Sequence, residues 1–149
     1  NMGSDRRFQY TVMGDAVNQA ARFEPANKEY KTLIMIGETT YEEAKDQIEA
    51  RLLDRLVVQG KTKPISVYEL LARKSQLSPV KKQVVDLYHE ALRLHWERKW
   101  DEALACLARA LELDPEDGPS SNIRSRIARY MKEPPPDAWA GEYVRASKD

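Results

Sequence analysis

The hydrophobic period of the chain changes once, at Ser78-Pro79, and that switch limits what the sequence can fold into. Ahead of it, short runs of strand formers alternate with alanine-rich or polar stretches; behind it, apolar residues recur only at helical spacing. Serine followed by proline is itself a helix start, a side-chain cap and then a residue whose fixed φ suits the first helical position. The sequence therefore predicts an α+β region over residues 1–74 and a helical region over residues 75–149.

In the first region, Arg7 to Met13 read as a strand that Gly14 ends, and Asp15 opens a helix along which the alanines, Val17 and Phe23 recur. Pro25 ends or bends that helix near Phe23 and Glu24, because it removes a backbone donor and clashes with the preceding turn. "TLIMIG", Thr32 to Gly37, reads as a short buried strand, and "ETTYEEAKDQI" as a short helix capped by Thr39 or Thr40. The runs "ARLLDRLVVQG" and "KPISVYELLA" form a hairpin about the Gly60-Lys61-Thr62-Lys63 link. The order is β-α-β-α-β-β.

In the second region, Leu87, Ala91 and Leu94 mark one amphipathic helix and Trp100, Ala103, Leu107, Ala110 and Leu111 a second, joined by a turn at Arg98 and Lys99. A third runs from Pro119 to about Lys132 and stops at the triple proline Pro134 to Pro136. The spacing of Trp100, Ala103, Leu107, Ala110 and Pro115 resembles the second helix and closing proline of a tetratricopeptide repeat, with alanines that let paired helices approach. The match departs in the first helix, where Ala91 and Leu94 stand in place of the usual glycine and tyrosine. A single repeat leaves an apolar face uncovered, so these helices are expected to dock on the first region or on a second chain.

The bulk numbers narrow the function classes. Lysine plus arginine equals aspartate plus glutamate at 24 each in 149 residues, so no global field draws the chain to nucleic acid or an anionic membrane, and any anion site must be local. The lone Cys106 excludes an internal disulfide framework and suits a reducing compartment. No run approaches the roughly 18 apolar residues of a membrane span, and no signal peptide is visible, which predicts a soluble, cytoplasmic chain. The chain starts without methionine and runs almost directly into a strand, so it is expected to be a fragment whose missing start holds part of an active site. His89 and His95 are six apart and do not share a helix face as a metal pair would; no metal ligand is assigned. Trp96, Trp100, Trp139 and Cys106 read as packing residues.

One stretch carries chemistry. In "YTVMGDAVNQAAR", Asn18 and Arg22 stand one helical turn apart, an amide donor beside a guanidinium, among alanines that let the helix lie close to a sheet. Near a helix N-terminus such a pair can grip a phosphate or a developing negative charge. Spacing alone also fits, and favours, a solvated polar face. The "GKT" at Gly60 to Thr62 is no P-loop, since Arg55 stands where the first glycine belongs and a strand rather than a helix follows.

The stretches "NMGSDRRFQYTVMGDAVNQAARFEPANKEYKTLIMIGETT" and "LLDRLVVQGKTKPISVYEL" resemble the C-terminal half of a class III nucleotidyl cyclase catalytic domain, over about Asn1 to Leu71. The resemblance implies a truncated, ferredoxin-like half domain. It implies that Asn18 and Arg22 stabilise the transition state as the ribose 3′-hydroxyl attacks the α-phosphate and pyrophosphate leaves. It places Thr11 where the purine is read, favouring ATP over GTP, and a phosphate contact on the link where this chain has Gln59 and, two residues on, Lys61. Relatives commonly have glycine in "YGT" where this chain has "YKT". By the same resemblance the two metal-binding aspartates lie upstream of Asn1, so Mg2+ or Mn2+ belongs to the intact enzyme and none is expected on this fragment, which should be inactive alone. Head-to-tail pairing of two domains, a homodimer, would complete each site. The helical tail, ending in a "PPPDAWAG" segment, resembles the region after the cyclase domain in some bacterial multidomain cyclases, which carry a sensor and membrane helices upstream. The expected function is thus the C-terminal part of an adenylate cyclase, with a protein partner for the tail. The alternative is a catalytically silent interaction module built from the same parts.

Overall fold

The computed structural model describes residues 30–32, 34–57 and 62–144. Within them the chain forms β1 (Met35–Gly37), α1 (Glu38–Ala44), β2 (Ile48–Val57), β3 (Ile65–Arg73), α2 (Pro79–Trp96), α3 (Trp100–Leu113), α4 (Gly118–Lys132) and β4 (Glu142–Val144). The expected strand at Arg7 to Met13 and helix from Asp15 lie outside the described residues.

The four strands make one mixed sheet in the order β1-β3-β2-β4. β3 pairs antiparallel with β1 and with β2, the expected hairpin, while β4 lies parallel to β2 from Arg55 opposite Glu142 to Val57 opposite Val144. The sequence reading holds no β4, since a three-residue strand after a proline run has too few residues to show a period.

Two irregularities shape β2. Leu52 faces Tyr68 while Asp54 faces Val67, so Leu53 is an extra residue, a bulge. In a regular strand Arg51 and Leu53 would share one face with Arg55; the bulge shifts the alternation so that Arg51, Leu53, Asp54 and Leu56 are all buried. A second register shift falls between Glu49 and Ala50.

The helix boundaries follow local chemistry. Ser78 caps α2, its hydroxyl accepting the Lys81 N–H at 3.1 Å, with Pro79 at the first position. α2 ends in a Schellman turn: Arg98 takes φ 64°, its N–H reaches the His95 carbonyl at 3.0 Å, and the Lys99 N–H reaches Leu94 at 2.9 Å. A left-handed arginine replaces the usual glycine here. Its guanidinium bonds the carbonyls of Pro135 and Pro136 and lies 5.4 Å from the Trp139 ring, which offsets the strain. Asp117 caps α4 through the Ser120 N–H at 3.3 Å. The expected cap of α1 by Thr39 or Thr40 is corrected: β1 runs straight into the helix, Gly37 takes the cap position with no side-chain bond, and Thr40 is buried one turn inside.

The main core unites both regions of the chain. Tyr30, Met35, Leu53, Leu56 and Val67 pack with Tyr88, Leu92, Leu107, Ile123 and Ile127 in one cluster. The helices dock on the first region, as their uncovered apolar face required. A smaller cluster of Ile36, Ala44 and Ile48, flanked by the stacked rings of Tyr41 and Tyr68 at 3.9 Å, lies between α1 and the sheet.

Candidate functional site

The four residues to which the sequence assigns chemistry, Asn18, Arg22, Thr11 and Lys61, lie outside the described residues. What the structure describes is the frame that takes up the chain from Tyr30 onward and the two strands on either side of the Lys61 link. Tyr30, eight positions after Arg22, is fully buried, and β2 and β3 flank the Lys61 link.

The frame is held by two buried ionic groups between β2 and α4. In the first, Arg51 places Nη1 2.9 Å from Asp117 Oδ2 and Nη2 2.8 Å from Asp117 Oδ1, a two-point fork, while its Nε donates to Glu69 Oε1 at 3.0 Å. The Ser120 hydroxyl donates to Asp117 at 2.6 Å and Lys81 Nζ approaches it at 3.3 Å. Burial by itself would push the Asp117 carboxyl up; the hydrogen bonds and charge of Arg51, with Ser120 and Lys81, outweigh it and hold the group down at about 2. Glu69 shows the opposite balance, raised because burial exceeds the help from Arg51.

In the second group, Arg126 of α4 pairs with Asp54 of β2, and both engage Tyr30. The Tyr30 hydroxyl donates to Asp54 Oδ2 at 2.8 Å and accepts from Arg126 Nη2 at 3.2 Å. Burial, then the Asp54 charge, raises the phenol well above its ordinary range, so it stays protonated and keeps its donor role. The Arg126 guanidinium also stacks 3.7 Å from the ring of Tyr143 in β4.

α2 reads the bulge of β2 directly. The Tyr88 hydroxyl donates to the Leu53 carbonyl at 2.7 Å, and His89 Nε2 accepts the Leu52 N–H at 3.0 Å. Burial and then the Arg51 charge lower the His89 pKa, which keeps the ring neutral and able to accept. His95 lies deeper, boxed by Trp100, Tyr130 and Trp139 with centroids 5.5–5.8 Å away. Among the described residues neither of its ring nitrogens finds a partner.

Sequence reasoning missed Arg51, Asp54, Glu69, Asp117 and Arg126. The signal available was a pair of charges, Arg51 and Asp54, inside the otherwise strand-forming "ARLLDRL". Their partners lie 66 and 72 positions away, beyond the reach of any local period. Among the described residues no group of three or more His, Cys, Asp or Glu could hold a metal ion. The buried carboxylates Asp54, Glu69 and Asp117 are each matched to a cation and do not fit that role.

Among the described residues, the α+β arrangement of a mixed four-stranded sheet and four helices is compatible with a cyclase half domain. The chain is similar to three curated proteins, each named an adenylate cyclase. The terminal-differentiation-specific adenylate cyclase of Dictyostelium discoideum is 30% identical over 135 residues, 88% of this chain and 6% of that protein. Adenylate cyclase 1 of Rhizobium meliloti (strain 1021) is 34% identical over 71 residues, 48% of this chain and 11% of that protein. Adenylate cyclase of Anabaena cylindrica is 39% identical over 74 residues, again 48% of this chain and 15% of that protein. These likenesses support a cyclase family for the chain. The chain spans 6–15% of the length of these relatives. A match over 88% of the chain takes in most of the helical region as well. No family profile and no solved structure matches the chain. Among the described residues, no helix is long and apolar enough to cross a membrane.

Proposed function

We propose that this chain is the C-terminal part of a class III adenylate cyclase that converts ATP to cyclic AMP and pyrophosphate. The observation that carries the reading is the likeness to three proteins named adenylate cyclase, joined to the "YTVMGDAVNQAAR" stretch. In the reaction, the ribose 3′-oxygen forms a bond to the α-phosphorus as the bond to the pyrophosphate oxygen breaks, and the 3′-proton passes to a base. Negative charge gathers on the α-phosphoryl oxygens and the leaving group. Asn18 and Arg22 meet that charge with fixed donors, which count for more in the transition state than in bound ATP. Thr11 reads the adenine, and Lys61 supplies positive charge to the terminal phosphates.

The site is shared in a homodimer, with this chain giving Asn18 and Arg22 and the partner giving the metal-binding half. Mg2+ or Mn2+, when bound, neutralises the leaving pyrophosphate. The buried carboxylates described above are committed to Arg51, Arg126 and Lys81; by the family resemblance, the ion would be held by two aspartates of the half upstream of Asn1. The fragment alone is inactive, cytoplasmic and free of nucleic acid or membrane contact, and its helical region, tetratricopeptide-like in spacing, offers a surface to a protein partner.

Substituting Arg22→Ala in the full-length enzyme tests this. Turnover should fall about 100-fold or more while the KM for ATP changes little. Wild-type turnover in that variant removes Arg22 from the mechanism.

A further inference from the structure

His95 is fully buried near the end of α2, and among the described residues neither of its ring nitrogens has a hydrogen-bond partner. Three rings box it, with centroids 5.6 Å away for Trp100 of α3, 5.8 Å for Tyr130 of α4 and 5.5 Å for Trp139. The three walls are not equally fixed. α3 and α4 are held in the main core through Leu107, Ile123 and Ile127, and α4 also through Arg126 and its Asp117 cap. Trp139 belongs to the segment 133–144, in which only Pro135 and Gly141 are buried. Besides the short pairing of β4, that segment is held by its carbonyls, those of Pro135 and Pro136 on Arg98 and that of Ala140 on Arg55 at 2.6 Å. The Pro136 and Ala140 bonds lie in the open, where water can replace them.

A proton on His95 meets no counter-charge in this box. Beside it at the end of α2, Glu97 faces Arg93 and Lys99. α3 presents Trp100, and α4 presents Tyr130 and the charge of Arg126, which repels an imidazolium. The segment 133–144 presents Trp139, Glu142, whose carboxylate accepts the Ala140 N–H, and Tyr143, whose ring lies on Arg126. An unpaired buried charge is costly, and the easiest way to give it water is through the wall with the fewest buried contacts.

We infer that the segment 133–144 is an acid-released latch: a proton on His95 is accommodated by swinging Trp139 out of the box, which frees β4 and bares Trp96 and the outer edge of β2 while the three helices stay folded. The latch does not depend on the roles read for Asn18 and Arg22. Burial and Arg126 hold the enclosed ring at about 3, and an opened ring returns to about 6.5, so going from pH 7 to pH 5 favours the open form about 25-fold.

Hydrogen exchange of the intact protein tests this, read peptide by peptide by mass spectrometry at pH 7 and pH 5 and corrected for the intrinsic rate at each pH. The amides of residues 139–144 should exchange about 25-fold faster at pH 5, while those of α3 and α4 stay within about two-fold. His95→Phe keeps an apolar ring in the box and takes up no proton, so in that variant the amides of 139–144 should show one corrected rate at both pH values. Wild-type amides of 139–144 that exchange equally at pH 7 and pH 5, or that open only together with α3 and α4, would overturn the latch. So would an acid response that persists undiminished in His95→Phe. The wild-type comparison needs no substitution and decides the matter even where the Phe variant does not fold.

Discussion

Arg51 and Asp117 meet as a two-point fork, at 2.8 and 2.9 Å, across 66 positions of sequence and with both side chains essentially out of solvent. The pair joins the middle of β2 to the cap of α4, so one contact both orients a helix and fills a polar hole in the sheet's buried face. Such a pair contributes little beyond what apolar packing would give, because desolvation offsets most of the attraction, yet losing one partner is costly.

Asp117→Asn is therefore expected to destabilise the chain by about 3 kcal/mol, since it keeps a capping oxygen for α4 but leaves Arg51 buried with reduced charge compensation. Combining it with Arg51→Met should cost less than the sum of the single changes. Urea unfolding of the three variants checks this; additivity within error would show that the fork is not coupled. The acid behaviour has a defined sign. The Asp117 pKa is held at about 2, below its ordinary 3.8, so its contribution is present above pH 3.8 and is lost as pH falls from there toward 2.

His95 sets a second pH window. Burial, with a smaller push from Arg126, lowers its pKa from 6.5 to about 3, and the aromatic box of Trp100, Tyr130 and Trp139 offers the imidazolium no carboxylate. The folded state thus resists a proton that the unfolded state accepts. Stability is full above about pH 6.5 and declines as pH falls toward 3, by about 2 kcal/mol at pH 5. His95→Phe should flatten the unfolding free energy between pH 5 and 7 relative to wild type. Parallel pH profiles for the two proteins would contradict it; His89, also lowered, titrates in both and cancels in the comparison.

The segment from Glu133 to Val144 is a strap. Arg98 holds the Pro135 and Pro136 carbonyls, the Trp139 indole donates to the Glu142 carbonyl at 2.7 Å, and Arg55 stacks 3.9 Å from the Trp96 ring while bonding the Ala140 carbonyl. β4 then covers the outer edge of β2. Ending the chain after Lys132 should lower the melting temperature and bare that edge, giving concentration-dependent self-association in sedimentation. A monomer that melts like the intact chain would mean the strap bears no weight.

Much of the frame was legible because it is local. Ser78 and Pro79 announce α2, the polar link at Lys63 announces the hairpin, and the proline run stops α4, each through the backbone or side chain of the residue concerned. Lys31, where the sequence departs from the glycine of the resembled "YGT" pattern, takes a positive φ of 58°, a conformation that suits glycine. Thr39 and Thr40 misled because nothing local reports that β1 enters α1 without a link. The candidate chemistry at Asn18 and Arg22 was named from the motif, and the frame that receives the chain beyond them was not.

By itself the sequence determined the three helices after the switch in period and their order, since period, caps and turns are written into neighbouring residues through sterics and short hydrogen bonds. Tertiary structure alone decided that Leu53 bulges, that Arg51 and Asp54 turn inward, and that Asp117 and Arg126 meet them. Those choices are made by burial: a charge enters a core only where a distant partner arrives at the right height, and no stretch of neighbouring residues carries that information.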